Sequence, residues 1–138
     1  MDAPSFGVGR TQLTKPWEDN NKKILEAYGQ YIEDAVKLFN GSYNNLKQDI
    51  SDMIEFEKKL AQITIEPAER RDRHALYGNK TNLKEFIGNY SDIPLFDIEK
   101  DVFRDVNEAN ITEDSPLIVY DRGYFERLGA LLLNTSDE

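Results

Sequence analysis

Two consecutive stretches of the chain carry apolar residues at helical spacing. The first, residues 18–39, places them at Ile24, Tyr28, Tyr31, Ala35 and Leu38, with Ile32 and Phe39 widening the stripe. The second, residues 44–63, places them at Leu46, Ile50, Met53, Ile54, Leu60 and Ala61. Asn40-Gly41 separates the two stretches, because glycine tolerates the backbone geometry that ends a helix. Such a short connection predicts an antiparallel helical hairpin.

Shorter elements follow this hairpin, which Pro67 ends because proline cannot continue a helical hydrogen-bond ladder. Thr81 is placed to cap a short helix that runs to Ile87 and closes at Gly88. Asp92 and Pro94 open another helix, with Leu95, Ile98, Val102 and Val106 on one side.

The last part of the chain predicts a strand followed by a helix. Residues 117–120 are partly β-branched and lie between Pro116 and Asp121, with residues 110–112 as their one candidate partner. Asp121 is placed to cap a helix that carries Tyr124, Leu128, Leu131 and Leu132. The predicted fold is mainly α: an antiparallel helical hairpin plus further short helices, with one or two short strands near residues 110–120.

The same pattern divides the chain into three parts. Residues 1–16 contain Pro4, Gly7, Gly9 and Pro16 without a sustained period, which predicts an irregular lead-in. Residues 17–134 form one helical domain, and residues 135–138 form a polar tail. The start Met1-Asp2-Ala3-Pro4 indicates an excised piece of a longer protein.

Composition and charge exclude two classes of partner. The chain has 17 Lys plus Arg against 26 Asp plus Glu, a formal net charge of -9. Phosphate backbones and anionic membranes would repel this charge, so we expect no nucleic acid and no membrane contact by this segment. No apolar run approaches the about 18 residues that a membrane-spanning helix needs.

Asn-x-Ser/Thr sequons are in excess. With 11 Asn and 12 Ser plus Thr in 138 residues, chance predicts roughly one sequon. Five are present, and their asparagines are the candidate N-glycosylation sites: Asn40, Asn79, Asn89, Asn110 and Asn134. This excess predicts an extracellular protein, although the chain has no cysteine.

Few residues of this chain could support catalysis. His74 is the single histidine and there is no cysteine, so neither a pair of zinc-binding imidazoles nor a thiol nucleophile is available. We therefore predict no catalytic, cofactor-binding or metal-ligating residue. The charge cluster of Arg70, Arg71 and Asp72 has two interpretations: an anion site, or a structural tie from the hairpin to the next segment.

Three motifs occur in an order that resembles a known family. Residues 55–72 read EFEKKLAQITIEPAERRD, an amphipathic helix followed by Thr-x-x-Pro and the charge cluster. Leu76, Tyr77 and Asn79 precede Thr81 and Leu83, and residues 116–132 read PLIVYDRGYFERLGALL. Together they resemble the helical part of the neprilysin and endothelin-converting-enzyme family of zinc metallopeptidases.

The resemblance implies a role without catalysis for this chain. Members of that family have two lobes around a central chamber: one holds zinc, and the helical one limits which peptides reach it. The chain would belong to the helical lobe, with the catalytic lobe and the peptide substrates of the parent as partners and zinc as the cofactor of the parent only. The alternative is a free-standing secreted helical protein-binding module. For a piece excised from this lobe, the strand at 117–120 and the leucine-rich last helix predict self-association of the isolated chain, or partial disorder of residues 110–138. A free-standing module would instead close its own core and stay monomeric.

Overall fold

The computed structural model describes residues 3–40, 44–65, 80–91, 93–106 and 110–135. Within these ranges the helices are α1 (Arg10–Thr14), α2 (Asp19–Asn40), α3 (Leu46–Ile63), α4 (Leu83–Asn89), α5 (Leu95–Val102) and α6 (Arg122–Leu133), and the strands are β1 (Lys80–Asn82) and β2 (Pro116–Ile118). The mainly α fold is confirmed. The chain divides into two compact units, an N-terminal unit of residues 4–64 and a C-terminal unit that comprises residues 65–138 with 1–3. The sequence pattern did not separate these units.

Helices α2 and α3 form the predicted antiparallel hairpin. Tyr28 donates a hydrogen bond from its hydroxyl to Oε1 of Glu57 over 3.4 Å. One residue later, a Cβ atom placed on Gly29 would lie 3.5 Å from Ile54 and 3.8 Å from Ile50. Later positions of α2 therefore meet earlier positions of α3, which is the antiparallel arrangement.

Helix α1 lies inside the segment that the sequence pattern predicted to be irregular. Its Leu13 is fully buried and forms the core of the N-terminal unit with Leu25 of α2 and Ala61 of α3. Phe6 and Val8, which precede the helix, pack against the same cluster. A five-residue helix shows no period in sequence, so only its packing reveals that the segment belongs to the core.

Arg10 of α1 donates hydrogen bonds to the residue that follows the carboxyl end of α3. Its Nε donates to Oγ1 of Thr64 at 2.8 Å, and its Nη2 donates to the Thr64 carbonyl oxygen at 2.9 Å. The Thr64 hydroxyl in turn donates to the carbonyl of Ala61 at 2.7 Å. The last turn of a helix leaves carbonyl groups without intrahelical partners. Arg10 supplies a partner for the Thr64 carbonyl, and the Thr64 hydroxyl adds a second donor to the Ala61 carbonyl, which also accepts from the Thr64 amide at 3.3 Å.

The far end of α2 departs from the predicted apolar stripe. Tyr31, Leu38 and Phe39 are 70%, 87% and 91% exposed, so they do not line the hairpin. The buried face of α2 runs through Asn21 and Leu25 instead. These two positions are four residues apart and therefore share one side of the helix.

The predicted strand has a partner that the sequence did not indicate. β2 pairs antiparallel with β1, so that Lys80 faces Ile118, Thr81 faces Leu117 and Asn82 faces Pro116. The prediction of residues 110–112 as its partner is wrong, and the strand covers Pro116–Ile118 rather than 117–120. Pairing between segments this far apart in sequence depends on tertiary packing, which local patterns do not contain.

Helix α4 begins one residue later than predicted. Asn82, not Thr81, is the cap: its Oδ1 accepts a hydrogen bond from the Glu85 amide at 2.8 Å. Thr81 belongs to β1 and donates from its hydroxyl to the Glu85 carboxylate at 2.7 Å. Gly88 lies within the helix, which ends at Asn89.

Helix α5 follows Pro94, as expected, but ends at Val102. Leu95 is buried, whereas Ile98, Val102 and Val106 are about half exposed or more. The apolar side of α5 is therefore largely uncovered by the described part of the chain. Asp92, which was predicted to help open this helix, lies outside the described residues.

Helix α6 confirms its predicted cap. The Asp121 carboxylate accepts a hydrogen bond from the Tyr124 amide at 2.8 Å, and Arg122 donates to the Lys80 carbonyl at 3.4 Å. The helix is thereby held beside β1, where the core of the C-terminal unit forms. Leu132 and Leu133, at its far end, are exposed.

Candidate functional site

Three aromatic rings contact one another in the C-terminal unit. Phe86 and Tyr90 are four residues apart, so the end of α4 places their rings next to each other, with centroids 4.6 Å apart. Phe125 of α6 meets Phe86 edge to face, with centroids 5.0 Å apart and planes at 83°. Such tilted and edge-to-face arrangements are the favourable ones for aromatic pairs. The rings therefore fix α4 against α6.

A cleft of about 240 Å³ lies beside these rings. It is lined by Asn89, Tyr90, Ile93, Phe125, Glu126, Gly129 and Ala130, and is called the α4–α6 cleft below. On the α6 side, Gly129 and Ala130 line it with no side-chain atom beyond Cβ. Tyr90 donates from its hydroxyl to the Arg122 carbonyl over 3.4 Å. Burial raises the pKa of Tyr90, and the negative charge of Glu126 raises it further.

The carboxylate of Asp121 is buried in this unit. One oxygen caps α6, and the other lies 3.5 Å from Nη2 of Arg127. Tyr124 is buried next to it. Burial raises the pKa of the Tyr124 hydroxyl, and the nearby Asp121 charge adds to the effect. The phenol therefore stays neutral at a pH where an exposed tyrosine begins to ionise.

This shift predicts a loss of stability in alkali. Near pH 8 the phenol is neutral in the folded and unfolded states, so the shift has no effect. Above that pH the unfolded chain ionises more readily, and the free energy of unfolding falls. Tyr124→Phe should reduce the fall between about pH 8 and pH 11, as urea unfolding would measure. Equal falls in the variant and the native chain would contradict the assignment.

The candidate glycosylation sites differ in their surroundings. Asn89 is exposed at the last residue of α4 and lines the α4–α6 cleft. Asn110 is exposed, and Asn134 is exposed with its Nδ2 donating to the Ala130 carbonyl at 2.7 Å. Asn40 ends α2, and its side chain is outside the described set. Asn79 lies outside the described residues.

The charge cluster of Arg70, Arg71 and Asp72 also lies outside the described residues, as does His74. The choice between an anion site and a structural tie stays a prediction. Elsewhere, across the described ranges, no group of three His, Cys, Asp or Glu side chains could hold a metal ion. None of the helices described there is both long and apolar enough to cross a membrane.

Two features of this site were missed in the sequence. The role of Asn82 as a helix cap could have been predicted, because an Asn three residues before a Glu is typical of a helix amino terminus. The α4–α6 cleft had no such signal. Its walls come from helices more than thirty residues apart in sequence, and neither helix indicates the other as its neighbour.

The chain matches known proteins along most of its length. A family model described as peptidase family M13 matches residues 1–138. Endothelin-converting enzyme 1 of Cavia porcellus is 31% identical over 121 residues, which are 86% of this chain and 15% of that protein. The human protein of the same name is 30% identical over 120 residues, with 85% and 15% covered. Neprilysin-1 of Trittame loki is 33% identical over 84 residues, with 59% and 12% covered.

These matches agree with the resemblance found in the sequence motifs. The chain spans 15% or less of the length of these three relatives. The match of the family model to all 138 residues nevertheless assigns the family. The chain belongs to peptidase family M13.

Proposed function

We propose that this chain is part of the helical lobe of an extracellular, neprilysin-like zinc metalloendopeptidase. In that lobe its helices limit which peptides reach an active site built from other residues. The observation that carries the proposal is the family match over all 138 residues of a chain that spans only 15% of the endothelin-converting enzymes it resembles. The mainly helical fold supports it.

The zinc of such an enzyme would be bound by residues elsewhere in the longer protein. A zinc peptidase centre needs at least two imidazoles or comparable ligands on one metal. The whole sequence has one histidine, and the described residues bring no three candidate ligands together. The side chains described here therefore do not fit a zinc site, and we derive no catalytic step from them.

Two uncovered apolar surfaces are suited to contact the rest of the protein. In the C-terminal unit, Ile98 and Val102 are exposed four residues apart on α5, and Val106 is exposed beyond the end of this helix. In the N-terminal unit, Leu38 and Phe39 are exposed at the end of α2. Contiguous exposed apolar residues mark interaction surfaces. We propose that the catalytic lobe covers them and that peptide substrates pass along other faces.

Exposed leucines at the end of α6 support self-association of the isolated chain. Since β2 is paired with β1, the argument from a strand without a partner no longer applies. The exposed Leu132 and Leu133 of α6 still favour association. Light scattering of the purified chain would measure it.

A peptidase assay tests the proposed function. The purified chain, incubated with zinc and a quenched fluorescent peptide, should show no turnover. The longer protein that contains it should cleave the same peptide, lose activity with a zinc chelator, and cleave short peptides faster than long ones. Chelator-sensitive turnover by the chain alone would contradict the proposal.

The length of the open reading frame separates the two classes of function. A downstream His-Glu-x-x-His helix would place the chain in a peptidase. A reading frame that ends shortly after residue 138 would favour the free-standing secreted binding module.

A further inference from the structure

We propose that Asn89 carries an N-linked glycan whose first N-acetylglucosamine packs in the α4–α6 cleft. The inference rests on the extracellular location in the proposed function. It deepens that function because it selects one of five sequons and assigns its sugar a place in the fold. Three observations support it: the position of the asparagine, the walls of the cleft, and the contrast with the other sequons.

The acceptor lies at an exposed end of a helix. Asn89 is the last residue of α4, and the chain turns at Tyr90 and Ser91, which complete the sequon. Asn89 and Ser91 are exposed, whereas the Tyr90 amide donates to the Phe86 carbonyl at 2.9 Å. A glycan on the Asn89 amide would thus leave the hydrogen bonds of the helix end unchanged.

The size of the cleft favours a small occupant. Its volume of about 240 Å³ lies below the about 300–1,000 Å³ of most small-molecule sites. Because Asn89 itself lines the cleft, a sugar linked to its side chain begins at the opening. A covalently attached group also avoids most of the entropic cost of binding a free ligand.

The chemistry of the walls suits a sugar as well. The half-buried Tyr90 lines the cleft, and aromatic rings attract the C–H groups on the apolar side of a pyranose. Glu126 supplies carboxylate oxygens, which accept hydrogen bonds from sugar hydroxyls or from the acetamido N–H. Gly129 and Ala130 leave the space that the ring would occupy.

The other described sequons lack this arrangement. Asn110 is exposed and does not line the cleft. The Asn134 amide already donates to the Ala130 carbonyl. A glycan on Asn110 therefore serves as the matched comparison, because it adds a similar sugar that has no access to the α4–α6 cleft from its own attachment point.

Removal of each sequon tests the inference. The full chain is secreted from cultured animal cells, and its glycopeptides are mapped by mass spectrometry. Ser91→Ala removes the Asn89 sequon but keeps Asn89, and Ser91→Thr keeps both. We expect Ser91→Ala to lower the midpoint of thermal unfolding by about 4 °C, and Ser91→Thr to leave it unchanged. Thr112→Ala, which removes the Asn110 sequon at an exposed residue, should shift the midpoint little.

Two further measurements locate the effect in the cleft. Trimming the glycans to one N-acetylglucosamine should preserve the higher midpoint, because the first sugar makes the contact. Ala130→Leu places a larger side chain at the exposed edge of the cleft and should abolish the difference that Ser91→Ala produces.

Two results would overturn the inference. One is secreted chain with glycan at Asn110 but none at Asn89. The other is an equal shift from Ser91→Ala and Thr112→Ala. Neither result bears on the peptidase assay of the longer protein. A longer protein that fails to cleave the peptide would contradict the proposed function and leave the glycan inference to its own test.

Discussion

Replacing Phe86 by alanine should destabilise the C-terminal unit by about 3–5 kcal/mol. Phe86 is 2% exposed, and its ring contacts the rings of both Tyr90 and Phe125. The change removes the burial of a large side chain and leaves a cavity between α4 and α6. Urea unfolding of the native chain and the variant would measure the loss, and amide exchange would show whether it is concentrated in α4 and α6.

Phe39→Ala is the matched control for this change. It removes the same atoms from a ring that is 91% exposed, and surface changes of this kind usually stay within about 0.5 kcal/mol. A loss below about 1 kcal/mol for Phe86→Ala would show that the aromatic cluster does not hold the unit together.

Leu13→Ala should destabilise the N-terminal unit by about 2–5 kcal/mol. Leu13 is fully buried between α2 and α3, against Leu25 and Ala61. Alanine favours helix at least as strongly as leucine, so α1 keeps its local preference and the loss reports packing. Urea unfolding, followed by circular dichroism, would measure it.

Leu38→Ala makes the same change at a position that is 87% exposed in the same unit. We expect it to cost less than about 0.5 kcal/mol. If both variants lose equally little, residues 1–16 are the irregular lead-in that the sequence pattern indicated, and α1 does not contribute to the core.

The parts of the fold that were predictable have a local cause. The hairpin of α2 and α3 follows from apolar spacing over some twenty residues in each helix, long enough for the period to be read. The cap at Asp121 also follows locally, because its carboxylate accepts from the amide three residues later. The five sequons can likewise be recognised from sequence, because each is a motif of three consecutive residues that does not depend on the fold.

The parts that were missed depend on residues far apart in sequence. Leu13 lies in a segment with many Pro and Gly, and its burial is visible only when Ala61 is beside it. β1 contains Thr81 and Asn82, which read locally as the start of a helix, and its strand pairing comes from Pro116–Ile118. The exposure of Leu38 and Phe39 was missed for the opposite reason: a periodic stripe does not show where its partner ends.

The site itself shows the same division. The acceptor asparagines could be named from sequence, but the cleft beside Asn89 could not, because Phe125 and Glu126 reach it only through tertiary packing. Local motifs therefore supply the candidates, and the packing of α4 against α6 distinguishes among them.

The contact between Arg10 and Thr64 also sets an order of events on the ribosome. Thr64 is made 54 residues after Arg10, which at about 5–20 residues per second takes roughly 3–11 seconds. During this interval Ala61 is absent or still in the exit tunnel, so Leu13 and Phe6 have nothing complete to pack against. The opening segment of this unit therefore cannot complete its packing until α3 has emerged.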